Sequence, residues 1–234
     1  MSLIKENKER IINEIEATIT RTDIVDGVYG SASFTYGTNN FTVVADVFDD
    51  EGNRSGSCIM KNGNVIGGSI VSNGRYRNIT LYGSDSLMEH QLLAICLIPG
   101  ATAKLLDKEE NNIINHKTIT YNSVKFRERK AEYDRQVEMC AWGGEEPDDS
   151  LIANPPIPPC DVRDLEICTS AENYAHGAFI KTFDLYDIQV SAHDIPLLKK
   201  LIVDDSRVAR VINEYKDKGR AALIDMFGEC IVRI

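Results

Sequence analysis

Between Gly143 and Pro159 the chain carries Glu145, Glu146, Asp148 and Asp149, followed by Pro155, Pro156, Pro158 and Pro159. Proline fixes φ and removes a backbone donor, and adjacent carboxylates repel, so this stretch reads as a loop or linker. Any fold must therefore bring a long first part and a shorter second part together across it. At 234 residues the chain has enough length to bury a core, either as one compact domain with appendages or as two small domains.

Ile4, Ile11, Ile12, Ile15 and Ile19 share one face of a helix, with polar residues between them. From Phe34 onward β-branched and aromatic residues dominate; residues 41–48 read as a strand, followed by a turn at Asp50-Glu51-Gly52-Asn53. Asn62-Gly63 and Asn73-Gly74 each suit a tight hairpin turn, because both residue types tolerate positive φ, and residues 57–82 then read as a small antiparallel sheet. Arg75 and Arg77, two apart, point to one face, where they can reach phosphates or simply face solvent. His90 to Ile98 is an apolar helix stopped by Pro99-Gly100, and residues 124–140 read as a charged helix.

The formal net charge of −10 has the wrong sign for a typical DNA-binding protein, which needs surplus Lys and Arg to neutralise phosphates. Its distribution is uneven: residues 51–130 are net +4 and residues 131–170 net −8, so the acidity is local. The six cysteines are scattered without a C-x-x-C pair, which suits reduced thiols rather than a zinc clamp or a disulfide framework. No apolar run approaches a membrane span and the N-terminus has no apolar signal core, so the expected location is cytoplasmic, with no membrane partner.

Three pieces carry chemistry: Asn73-Gly74-Arg75-Tyr76 through Glu89-His90-Gln91-Leu92-Leu93-Ala94; then Ile114-Asn115-His116-Lys117; then Asp164-Leu165-Glu166-Ile167-Cys168-Thr169-Ser170-Ala171-Glu172-Asn173. In this order they resemble the HNH homing endonucleases of the phage and intron-encoded type, over roughly half the chain. The resemblance implies an α+β fold: a small hairpin sheet and a ββα-metal core, flanked by the N-terminal amphipathic helix and C-terminal helices of helix-turn-helix type. It implies division into residues 1–56, a nuclease domain at 57–180 with an acidic insertion at about 131–160, and a DNA-binding module at 181–234. It also implies metal-dependent hydrolysis of double-stranded DNA, with His116 as general base and Asn115, Asn173 and His176 as candidate ligands of Mg or Mn.

Thr169 and Glu172 form a T-x-x-E capping box, which starts a helix near Ser170 and puts Asn173 in its first turn, with His176 on the same face. Each residue also has an ordinary role open to it: histidines in polar strands and asparagines in first helical turns are common without function. The sequence departs from the family pattern after the Asn-His pair, where Lys117-Thr118 replaces an acidic residue and glycine, and at Asp164, where the family has asparagine. Asn115 and Asn173 are neutral, whereas hard cations prefer carboxylates.

Residues 196–202 and the face formed by Val208, Val211, Ile212 and Tyr215 have helix-turn-helix spacing, which presents Ser206, Arg207 and Arg210 to a groove; a packed helical hairpin fits the same pattern. Arg75, Arg77, Lys117, Arg207 and Arg210 are thus the candidate DNA contacts. A second reading treats Glu145, Glu146, Asp148 and Asp149 as a phosphate mimic, by which a nuclease scaffold that no longer cuts occupies a host nucleic-acid enzyme such as RNA polymerase.

Overall fold

The computed structural model describes residues 3–71, 76–143, 145–151, 160–202 and 205–227. The fold is α+β, with small antiparallel sheets and helices. In chain order the elements begin with α1 (Leu3–Glu16), β1 (Thr20–Arg21), β2 (Ile24–Val25), β3 (Val28–Tyr29), β4 (Ser31–Tyr36), β5 (Asn39–Phe48), β6 (Arg54–Lys61) and β7 (Asn64–Val65). Next come β8 (Ser69–Val71), β9 (Tyr76–Tyr82), β10 (Asp85–Met88), α2 (Glu89–Leu97), α3 (Ala101–Leu106), β11 (Asn112–His116) and α4 (Tyr121–Ala141). The chain closes with β12 (Leu165–Thr169), α5 (Ser170–Phe183), α6 (Ile195–Leu201), α7 (Asp205–Lys218) and α8 (Arg220–Phe227).

β4 and β5 alternate with period two, so Ala32, Phe34, Tyr36, Phe41, Val43 and Ala45 are buried on one face. Phe34 and Phe41 are cross-strand partners and stack with centroids 4.9 Å apart. Ile11, Ile12 and Ile15 of α1 join the same core. The Asn62-Gly63 turn joins β6 to β7 with φ of 51° and 81°, as the sequence predicts; Asn73-Gly74 and Arg75 lie outside the described residues.

The single sheet predicted over 57–82 is instead divided. β6 pairs with β5 in a five-stranded sheet ordered β1-β4-β5-β6-β7, whereas β9 lies between β8 and β10 in a second, three-stranded sheet. The ten-residue β5 offers β6 a long edge, and Gly67-Gly68 then turns the chain away. Gly68 has φ +67°, and a Cβ there would meet the Asn78 carbonyl oxygen at 2.8 Å, so this crossing needs glycine. A boundary at 56/57 falls inside β6.

α2 is apolar on nearly every side and buried from Leu92 to Leu97, making it the central element of the first core. β11 and β12 form an antiparallel pair with Asn115 opposite Glu166 and His116 opposite Leu165, although α4 and the acidic segment separate them in sequence. α5 follows β12 directly. A second core gathers Phe179, Ile180, Leu185, Val190, Leu198, Val211, Ile212 and Tyr215 from α5, α6, α7 and the connection after α5. Among the described residues no helix is long and apolar enough to cross a membrane.

The entry to β12 is fastened by charge. Arg163 binds Asp46 of β5 at 2.7 Å, Arg54 of β6 binds both Asp46 and Asp161, and the arginines hold the Asp46 carboxyl well below the usual carboxylate range. This clamp fixes the short 3-10 turn Val162–Asp164 from which β12 departs.

Candidate functional site

Adjacent residues of an extended strand leave on opposite faces, and Asn115 and His116 do so at the end of β11. Asn115 is 4% exposed, and its Nδ2 donates to Glu166 Oε1 at 2.8 Å. The Ser191 hydroxyl and the Ala192 N–H also donate to Glu166, at 2.6 and 2.7 Å. A half-buried carboxylate that accepts three hydrogen bonds ties the strand pair to the connection before α6.

His116 turns the other way, toward α2. Its Nδ1 lies 3.7 Å from Asp164 Oδ2, within ion-pair reach, while Asp164 Oδ1 accepts the Thr118 hydroxyl at 2.6 Å. Its ring meets that of His90 edge-on at 5.4 Å, and His90 in turn rests on Tyr76 at 5.2 Å. The Nε2 of His116 is buried without a hydrogen-bond partner. Buried polar atoms are almost always paired, so an unpaired imidazole nitrogen opposite a carboxylate-facing one is a vacant acceptor position.

Burial at this corner disfavours charge on both α2 groups near His116. Burial, reinforced by neighbouring His116, lowers the His90 pKa to about 4, so His90 is neutral near pH 7. Glu89 is 8% exposed, and burial raises its pKa against the pull of the Cys160 N–H, Arg77 and His116. His116, with Asp164 against one ring nitrogen and the other unpaired, has the arrangement of an oriented imidazole base.

α5 packs on the Asn115 side of the strand pair. Its capping box forms as predicted: the Glu172 N–H donates to Thr169 Oγ1 at 3.2 Å and the Thr169 N–H to Glu172 Oε2 at 2.7 Å. Asn173 is half-buried in the first turn. His176 is wholly buried, its ring near the carbonyls of Val190 and Lys117 without a hydrogen bond of good geometry, and burial lowers its pKa. Asn115, Asn173 and His176 are thus on the face away from His116. Among the described residues no three His, Cys, Asp or Glu side chains are grouped to hold a metal ion. The ligand set implied by the resemblance does not fit a cation placed beside His116.

Of the candidate DNA contacts, Arg77 is half-buried in β9 and donates to the Gly67 carbonyl at 3.3 Å. Lys117 is half-buried just after β11. Arg207 and Arg210 are exposed on α7, away from buried Val211, Ile212 and Tyr215, and neither has an ion-pair partner among the described residues. Glu145, Glu146, Asp148 and Asp149 are exposed; the Asp148 N–H donates to Gln136 at 2.9 Å and Tyr133 donates to Asp149 at 3.1 Å, so α4 holds the acidic segment against itself.

Three neighbours of His116 are not evident as such from the sequence alone. Asp164 stands there as a departure from a pattern, yet it is the carboxylate facing His116. Glu89 and His90 belong to the first of the three resembling pieces, but nothing in that piece puts them against a residue 26 positions on. No family model, curated protein or solved structure matches the chain.

Proposed function

We propose that this chain is a DNA endonuclease of the HNH type that hydrolyses phosphodiester bonds in double-stranded DNA with His116 as the general base. The observation that carries the reading is the strand-strand-helix unit β11-β12-α5, in which His116 ends the first strand with Nδ1 toward Asp164 and Nε2 unpaired. Asp164 orients the ring and opposes the positive charge that His116 gains when Nε2 takes a proton from water. The resulting hydroxide attacks phosphorus. The resemblance gives the charge on the leaving oxygen to a divalent ion, Mg or Mn; the side chains around His116 support the base chemistry and not that ligand set. In this reading Arg207 and Arg210, exposed on α7, and Lys117, next to His116 in sequence, meet phosphates.

The test is nicking of supercoiled plasmid in magnesium or manganese by the wild-type chain and by His116→Ala. Loss of the base lowers the rate by roughly 10²–10⁴-fold while DNA affinity stays within a few fold. Equal nicking by the variant removes His116 from the chemistry. A wild-type chain that neither binds nor nicks DNA favours the acidic phosphate-mimic reading instead.

A further inference from the structure

The end of α4 presents a surface that nothing in the proposed hydrolysis uses. Trp142, the chain's one tryptophan, is 91% exposed, and Met139, three residues earlier on the same helical face, is 60% exposed. Tryptophan is amphipathic and large, and an indole left in water at a helix end is an anchor without its recess. Around it, residues 131–151 hold seven carboxylates and one arginine, and that arginine, Arg135, is already paired with Glu132. The arm is a built structure, since the Tyr133 and Gln136 bonds hold its return stretch.

The body of the molecule carries the complementary shape. A cavity of about 400 Å³ lies beside β12, with an apolar wall of Val28, Ile98, Pro99, Val162, Leu165 and Ile167. Lys104, Lys117, Arg163 and His193 bring positive or protonatable groups to it; Lys104 and Lys117 have no ion-pair partner among the described residues. Its acidic lining groups are already engaged: Glu166 by three donors, and Asp26 by Arg163 at 4.0 Å. The Ile167 carbonyl of β12 meets His193 Nε2 here at 3.2 Å. The cavity suits an apolar plug that arrives with carboxylates, and the arm is an apolar plug that carries them.

We propose that two copies of this chain dock reciprocally, each placing Trp142 of its acidic arm in the cavity of the other beneath Lys104 and Lys117. A chain cannot fill its own cavity this way. α4 has 21 residues and so spans about 31 Å, and Lys117 lies just before its first turn, which keeps the indole at the far end while the helix is intact. Nucleic acid is a poor occupant for the arm because both carry negative charge. Exchange between two copies is isologous, so each contact is made twice and the second closes within an assembled pair.

The test is sedimentation of the full chain over a concentration series, with Trp142→Ala and the double variant Lys104→Glu, Lys117→Glu. The wild-type chain forms a dimer that high salt dissociates, and its tryptophan emission shifts to the blue and resists iodide quenching as the dimer forms. Each variant alone loses most of the dimer. Mixed together they regain it in part, because Trp142→Ala still offers a cavity and the double variant still offers a plug. Circular dichroism of each variant checks the fold. A monomeric wild-type chain at all concentrations, or a dimer that survives Trp142→Ala, overturns the proposal; so does a variant mixture that fails to associate when both variants are folded and the wild type dimerises.

Discussion

Two polar side chains on opposite faces of the β11-β12 pair, Glu166 and His116, are held differently. On the α5 side Glu166 is enclosed by Asn115, Ser191 and Ala192, each at hydrogen-bond distance. On the α2 side His116 keeps one nitrogen without a partner and the other at ion-pair distance from Asp164. A closed network stabilises a junction between elements and has nothing left to offer a substrate. One left incomplete holds a buried polar atom without a partner, at a cost in stability. Asp164 closes the 3-10 turn before β12 and Glu166 lies within the strand, so the two carboxylates meet different neighbours although only two residues apart.

That contrast can be broken most forcefully at Glu166. Glu166→Ala leaves the Asn115 amide and the Ala192 N–H without their acceptor, and the chain loses roughly 2–4 kcal/mol, read as a lower midpoint in urea. Asp164→Ala, on the open face, forfeits one hydroxyl bond and about 1 kcal/mol, yet nicking falls far more than stability does. If the two variants are equally destabilised, the division into a structural and a reactive face is wrong.

The pH dependence of folding sharpens the comparison at His90. Its folded pKa of about 4 lies below the unfolded value, so the unfolded chain takes up a proton first as the pH falls. The stability contributed by neutral, buried His90 is present above about pH 6.5 and is lost progressively toward pH 4. Substituting His90→Gln should flatten that part of the profile measured by thermal unfolding; an unchanged slope assigns the loss to other groups.

The smallest effect is expected at α7. Arg207→Ala and Arg210→Ala each reduce the slope of log affinity against log salt by at most about one unit, with little change in stability, since both are exposed and have no ion-pair partner among the described residues. An unchanged slope in gel shifts identifies α6, α7 and α8 as a packed helical unit with no role in binding DNA.

Local features of the fold were legible where one short-range rule dominates. The isoleucine stripe of α1, the Asn62-Gly63 turn, the Pro99-Gly100 stop after α2 and the Thr169-Glu172 box all follow from residues within a turn or two of one another. The partition of β6 and β9 between sheets was not, because it depends on which edge β5 leaves open and on Gly68 passing the Asn78 carbonyl at close range. At the candidate site, His116 could be singled out from its neighbours. Its relation to Asp164 and His90 depends on contacts across 48 and 26 residues, which no local pattern encodes. Asn115 illustrates the same limit from the other side: a motif places it beside His116, and strand alternation sends it to the opposite face.

The long excursion between β11 and β12 has a consequence for how such a chain can change. Closing a loop costs entropy only as the logarithm of its length, so even doubling the excursion raises that cost by only about 0.6 kcal/mol. The strand pair on which the site depends is nearly indifferent to what is spliced between its halves. The junction after His116 is therefore where this scaffold can accept new surface, such as an acidic arm with its own anchor, without rebuilding the residues that surround the imidazole.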